Sequence, residues 1–250
     1  MLEYACYVNK GQVHKTNDDA AMINHSIIHD GVFYGNSVLD EGLFAVADGV
    51  GSVNDSELAS RYVLRQLSEC SVKDTVQINE ILSNLNNELV EFSERRECFN
   101  VLSTTLCLVS VIDTKLVSYN IGNSRLYRFR DGYLRQLTRD DSKVQDLIDM
   151  GSLSPDEAKE YYGRNIITKC LGVRDYSNGW IAERECNVIF SEGDILFLCT
   201  DGIHEYVDIA KLEEILSVDA SVEEKVKVIV QFAEDAGGFD NETVLLIEKH

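Results

Sequence analysis

The chain of 250 residues holds a single proline, Pro155, and a single tryptophan. It has only 23 lysines and arginines against 43 aspartates and glutamates, a formal net charge of −20. So few basic residues argue against gripping a nucleic-acid backbone by a cationic face. They equally disfavour an anionic membrane surface. No apolar run approaches the roughly 20 residues of a membrane span. The opening MLEYACYVNK lacks the basic-then-apolar layout of a signal peptide. With one proline and no Ser/Gly-rich linker there is no obvious seam, so one domain over residues 1–250 is expected. No Cys-x-x-Cys pair occurs among Cys6, Cys70, Cys98, Cys107, Cys170, Cys186 and Cys199. Odd in number and scattered, they fit reduced thiols of a cytoplasmic protein better than disulfides or a zinc site.

What is present suffices for a core. Hydrophobic residues make up 44% and aromatic residues 8%, which excludes disorder. LFAVA (43–47), ILFLCT (195–200) and VLLIE (244–248) read as short buried strands beside Asp-Gly or Asp-Asn pairs. Residues 103–138 read as a meander of strands, with Asp131-Gly132 as a hairpin turn and antiparallel pairing between neighbours. Apolar stripes at helical spacing mark helices over 56–69 and 77–93. Ser154-Pro155 with Glu157, and Ser221 with Glu224, are capping boxes; the helix begun at Ser221 stops at Gly237-Gly238. Strand groups separated by helices imply an α+β fold with sheet inside and helices outside.

The acidic residues fall into two sets. Glu88, Glu91, Glu94, Glu213, Glu214, Glu223 and Glu224 sit on helix surfaces and read as solvated. Asp18, Asp19, Asp48, Asp201 and Asp240 sit near the ends of apolar strands. A carboxylate there is partly desolvated and needs hydrogen bonds, a cation or a proton. Each also suits a turn, since Asp-Gly and Asp-Asn favour turns. Several hard oxygens converging on one point are what Mg²⁺ or Mn²⁺ requires. A structural calcium domain is disfavoured by the lack of a D-x-D-x-D-G loop.

Six segments, in order, carry a resemblance: GQVHKTNDDA, LFAVADGVGS, STTL with LVSYNIGNSRLYRFRDGYLRQLTRDDS, VQDLIDMGSLSPDEAKEYYGRNIITKCLG, GDILFLCTDGIHEYV and FDNETVLLIE. Together they resemble the metal-dependent protein phosphatases of type 2C, especially the bacterial Ser/Thr phosphatases. The resemblance implies a four-layer α-β-β-α sandwich of two mainly antiparallel sheets flanked by helices, with a flap at about 139–170. It implies a binuclear Mn²⁺ or Mg²⁺ centre held by Asp19, Asp48, the Gly49 carbonyl, Asp201 and Asp240. Asp18 would act through metal-bound water, and Asn241 would orient its turn. The implied activity is hydrolysis of phosphoserine and phosphothreonine in proteins by a metal-activated water, with Asp48, Asp19 and His14 as catalytic residues. The implied setting is a cytoplasmic monomer opposing a Ser/Thr kinase.

The departures point to an alternative. His14 replaces an arginine that grips phosphate in the family, and Asn123 replaces an aspartate that helps hold a third, weaker metal. Val50, Ser52 and Asp141 also differ from the family's Met, Gly and His, and His204, which could face the site, reads first as a surface residue at a helix start. A weakly active or inactive regulatory module binding phosphoproteins or a partner is the competing expectation.

Overall fold

The computed structural model describes residues 1–50, 55–70, 75–95, 102–174, 182–186 and 188–250. Ser52 and Cys98 lie outside these, and so does the side chain of Cys186. Two sheets face each other. One runs β10 (Tyr133–Gln136), β9 (Arg125–Arg130), β12 (Ile195–Cys199), β13 (Glu242–Lys249), β1 (Leu2–Asn9), β4 (Gly31–Ser37). The other runs β11 (Ala182–Cys186), β8 (Lys115–Ile121), β7 (Leu106–Ile112), β5 (Glu41–Val50), β2 (Asp19–Ile23), β3 (Ser26–Ile28), with β6 (Ser103–Thr104) paired to β5. Neighbouring strands pair antiparallel throughout the described residues.

Period-two alternation sorts each strand's side chains into layers. Val46, Val109, Leu126, Leu198 and Leu245 fill the space between the sheets. Ala45, Leu108 and Tyr119 point outward under α1 (Glu57–Ser68) and α2 (Thr75–Arg95). Phe197, Val244 and Leu246 point the other way, under α6 (Ile209–Ser217) and α7 (Val222–Asp235). The result is the four-layer sandwich expected of an α+β chain, its helices held by apolar stripes rather than propensity. Both capping boxes form, at Ser154 with Glu157 and at Ser221 with Glu224. The first opens only a short helix, α4 (Pro155–Lys159), preceded by α3 (Lys143–Asp149).

Two expectations need correction. Asp48-Gly49 is not a turn: β5 runs through it to Val50, and Gly49 pairs with Thr104. Glycine is required there by crowding, because a Cβ would lie 2.4 Å from the Ser56 carbonyl oxygen. The meander at 103–138 also splits. β7 pairs with β8 in one sheet, but β9 and β10 belong to the other. The chain crosses between sheets at Gly122, whose φ of +101° and contact with Thr105 exclude a side chain.

Candidate active site

One end of the two sheets opens into a cavity of about 200 Å³ lined by His14, Asp18, Asp48, Gly49, Val50, Asn123, Asn165, Ile167, Asp201, Asp240 and Asn241. Strand ends deliver these residues from distant parts of the chain. Asp48 lies in β5, directly opposite Asp19 at the start of β2. Asp201 follows the end of β12 and opens the short helix α5 (Asp201–His204). Asp240 and Asn241 precede β13, the next strand of the same sheet. Asn165 and Ile167 come from the segment expected to form the flap.

Asn241 ties the cluster together. Its Oδ1 accepts from the Asp18 backbone N–H at 2.8 Å, and its Nδ2 donates to the carbonyls of Lys10 at 2.7 Å and Thr16 at 3.1 Å. Asp19 is not at the cavity wall but beneath it, 1% exposed. Its Oδ2 accepts from the hydroxyls of Thr200 and Thr243, each at 2.7 Å. Asp18 Oδ2 accepts from Ser56 Oγ at 2.7 Å. Thr200, Thr243 and Ser56 escaped the sequence reading. Their one signal is a hydroxyl immediately flanking a strand or helix that carries a singled-out aspartate.

The electrostatics are those of crowded carboxylates. Burial pushes Asp19 up to about 8, and the charges of Asp201 and Asp240 add to that while the two threonine bonds oppose it. Burial also pushes Asp48 well above the usual carboxylate range, followed by repulsion from Asp201, Asp19 and Asp240. Asp201 rises to about 7, again by burial first and then by Asp240. Such a cluster must take up protons or a compensating cation.

Among the described residues, no three His, Cys, Asp or Glu side chains stand ready to hold an ion as they are now turned. The carboxylates are directed instead onto protein donors: Asp19 onto the threonines, Asp18 onto Ser56, and Asp201 onto Asn123 Nδ2 at 2.9 Å. The donor set nevertheless suits hard divalent cations, being carboxylate and amide oxygens. Asp18 Oδ1 and Asn123 Oδ1 are buried without any hydrogen-bond partner, which marks two oxygens still in need of a cation or donor.

His14 and His204 behave differently. His14 Nε2 lies 3.5 Å from Asp240 Oδ1, at the open rim of the cavity. His204 was expected at the surface but is half-buried, with Nε2 donating to the Asn123 carbonyl at 3.0 Å. Burial, then Arg125, holds its pKa well below the ordinary value, so the ring is neutral. Asp141 also points inward, accepting from the Gly122 N–H at 3.2 Å and pairing with Lys169 at 3.0 Å.

A pH dependence follows. Above the ordinary carboxylate range the folded state keeps protons that the unfolded chain has released, on Asp19 up to about pH 8 and on Asp201 up to about pH 7, with Asp48 shifted in the same direction. Stability therefore falls as pH rises through that window. Thermal melts in chelator should show a lower Tm at pH 8 than at pH 5, with a smaller difference in Asp201→Asn. Equal slopes for both proteins would contradict the assignment.

Comparison with known proteins agrees with this architecture. A family model described as protein phosphatase 2C matches residues 29–238. The serine/threonine phosphatase stp of Listeria monocytogenes is 31% identical over 241 residues, covering 93% of each chain. The protein phosphatase PhpP of Streptococcus pneumoniae is 28% identical over 98% of this chain and 97% of its own. A crystal structure of the catalytic domain of the serine/threonine protein phosphatase PstP in complex with two manganese ions superposes with a TM-score of 0.78 at 27% identity, covering 99% of both chains. The chain belongs to the protein phosphatase 2C family.

Proposed function

We propose that the chain is a metal-dependent phosphoprotein phosphatase acting on phosphoserine and phosphothreonine. The observation that carries this reading is the convergence of Asp19, Asp48, Asp201 and Asp240, where burial first and mutual repulsion second raise the carboxyl pKa of the first three. Asp19, Asp48, the Gly49 carbonyl, Asp201 and Asp240 would hold two divalent cations, Mn²⁺ or Mg²⁺, once turned from their present donors. Cations there supply the positive charge and the acidified water that phosphate-ester hydrolysis needs near neutral pH.

The remaining roles belong to the chain. Asp19, held at present by Thr200 and Thr243, lies at the floor of the site. Asn241 holds the 10–18 loop against the start of β13, so Asp18 and Asp240 keep their spacing. His14, beside Asp240 at the rim, faces an incoming phosphate and offers it a hydrogen bond. One imidazole grips phosphate less firmly than a guanidinium fork. His14→Arg is therefore expected to lower KM roughly several-fold with little change in kcat. An unchanged KM would remove His14 from phosphate contact.

The reading extends to one phosphatase domain over residues 1–250 with a flap near 139–170. The phosphorylated substrate is a protein, with a Ser/Thr kinase supplying the phosphoryl group. The chain works as a cytoplasmic monomer; among the described residues no helix is long and apolar enough to cross a membrane. Isothermal titration of the metal-free chain with Mn²⁺ tests the centre itself. Two sites per chain are expected, and one or none would contradict a binuclear centre. The competing reading, a feeble phosphatase-like binding module, draws on Asn123, whose amide occupies Asp201.

A further inference from the structure

Away from the cavity, the β9–β10 hairpin carries an arrangement that the catalytic reading does not use. Register places Arg135 directly opposite Arg128. Directly opposed residues project to one face, and Arg130, two positions along β9, shares it. Arg130 is neutralised: its guanidinium pairs with Asp194 and donates to the Ile189 carbonyl at 2.7 Å. Arg128 and Arg135 are not. Among the described residues neither side chain has an ion-pair or hydrogen-bond partner, and Arg128 Nε is buried with nothing to donate to.

This is unexpected in a chain with 43 carboxylates for 23 basic residues. Partners for a cation are abundant, yet among the described residues two adjacent guanidiniums make no ion pair or hydrogen bond. Like charges directly opposed on a sheet are destabilising. An arginine cannot relieve the repulsion by losing its proton. Burial, then the charge of Arg130, lowers the Arg128 pKa; Arg135 adds to this, and Asp194 and Asp131 oppose it. A buried donor left unmade carries its own cost. A shared anion relieves all three at once, because two guanidinium forks match the several acceptor oxygens of a tetrahedral oxyanion.

We propose that Arg128 and Arg135, with Arg130 alongside, form a second oxyanion site that takes a phosphate-class anion. It stands apart from the catalytic cavity. Asn123 lines that cavity, and Arg128 lies five residues beyond it, roughly 16 Å of extended chain. The anion is either free phosphate or a phosphoryl group carried on a protein, and the proposal holds whether or not the cavity hydrolyses phosphoesters.

The test is thermal unfolding of the full chain in chelator, at ionic strength held constant with NaCl. Chelation removes any cation that would draw an anion into the carboxylate cavity. Inorganic phosphate and a phosphoserine peptide are titrated separately into wild type, Arg128→Gln and Arg135→Gln. Wild type should show a saturable rise in Tm. Either substitution should weaken the half-saturating concentration on the order of tenfold or more. Without anion, Arg135→Gln should melt no lower than wild type, because a repulsion is gone; Arg135 is exposed, so this variant keeps the test open if Arg128→Gln folds poorly. A rise with both probes assigns the site to free phosphate, and a rise with the peptide alone assigns it to a protein-borne phosphoryl group. No saturable rise in wild type with either probe, or the same rise in both variants, overturns the proposal.

Discussion

Asp48→Ala should cut Mn²⁺-dependent phosphatase turnover roughly a thousandfold while raising the Tm of the metal-free protein. The two effects share one cause. Asp48 is pressed by burial and by Asp201, Asp19 and Asp240, so its charged form costs stability. Alanine removes that repulsion, and each kcal/mol recovered is worth about 2–4 °C for a chain of this size. The same charge anchors cations that stabilise the transition state by several kcal/mol, with each 1.36 kcal/mol about tenfold in rate. Asp240→Ala should behave alike in turnover. A carboxylate that merely held the fold together would show the reverse, a lower Tm with activity largely kept. Retained wild-type turnover in either variant would sink the site assignment.

Asn123→Asp is expected to have the next largest effect, in the opposite sense. Asn123 is 4% exposed and donates to Asp201 Oδ2, while its own Oδ1 has no partner. Its carbonyl is fixed by His204, so the side chain has little freedom to turn away. Aspartate would replace a donor with a like charge next to a buried carboxylate. Losing such a bond costs about 1–3 kcal/mol, a Tm drop of several degrees in chelator. Excess Mn²⁺ should recover that loss, with higher turnover or a steeper metal requirement than in wild type. Unchanged Tm and unchanged metal dependence together would show that Asn123 does not set how many cations the site takes.

The aspartates were legible because their chemistry shows in local pattern: a carboxylate followed by glycine or asparagine, at the end of an apolar strand for Asp48 and Asp201 and just before one for Asp240. Asp48, Asp201 and Asp240 do meet at one cavity. What surrounds them was not legible. Thr200 and Thr243 hold Asp19 across 181 and 224 residues of sequence, and no local pattern encodes such a bond. The Asp48-Gly49 pair misled because Asp-Gly favours turns, whereas here glycine answers the close approach of Ser56. β1 and β4 went unread for a related reason. Their partners are set by tertiary pairing, β1 with β13 from the other end of the chain, and β4 leaves its aromatic residues exposed. His204 looked like a surface residue because α5 is a single turn, and only the crossing at Gly122 brings Asn123 above it.

The central claim is that this acidic cluster is a cation cage for phosphoester hydrolysis, and phosphate release tests it most directly. The assay follows a phosphothreonine peptide with the full chain in Mn²⁺, in chelator, and in chelator restored with excess Mn²⁺. Turnover should appear with Mn²⁺, vanish on chelation and return on restoration, with Asp240→Ala inactive in all three. Absence of turnover in a protein that still binds Mn²⁺, or turnover indifferent to chelator, would contradict it.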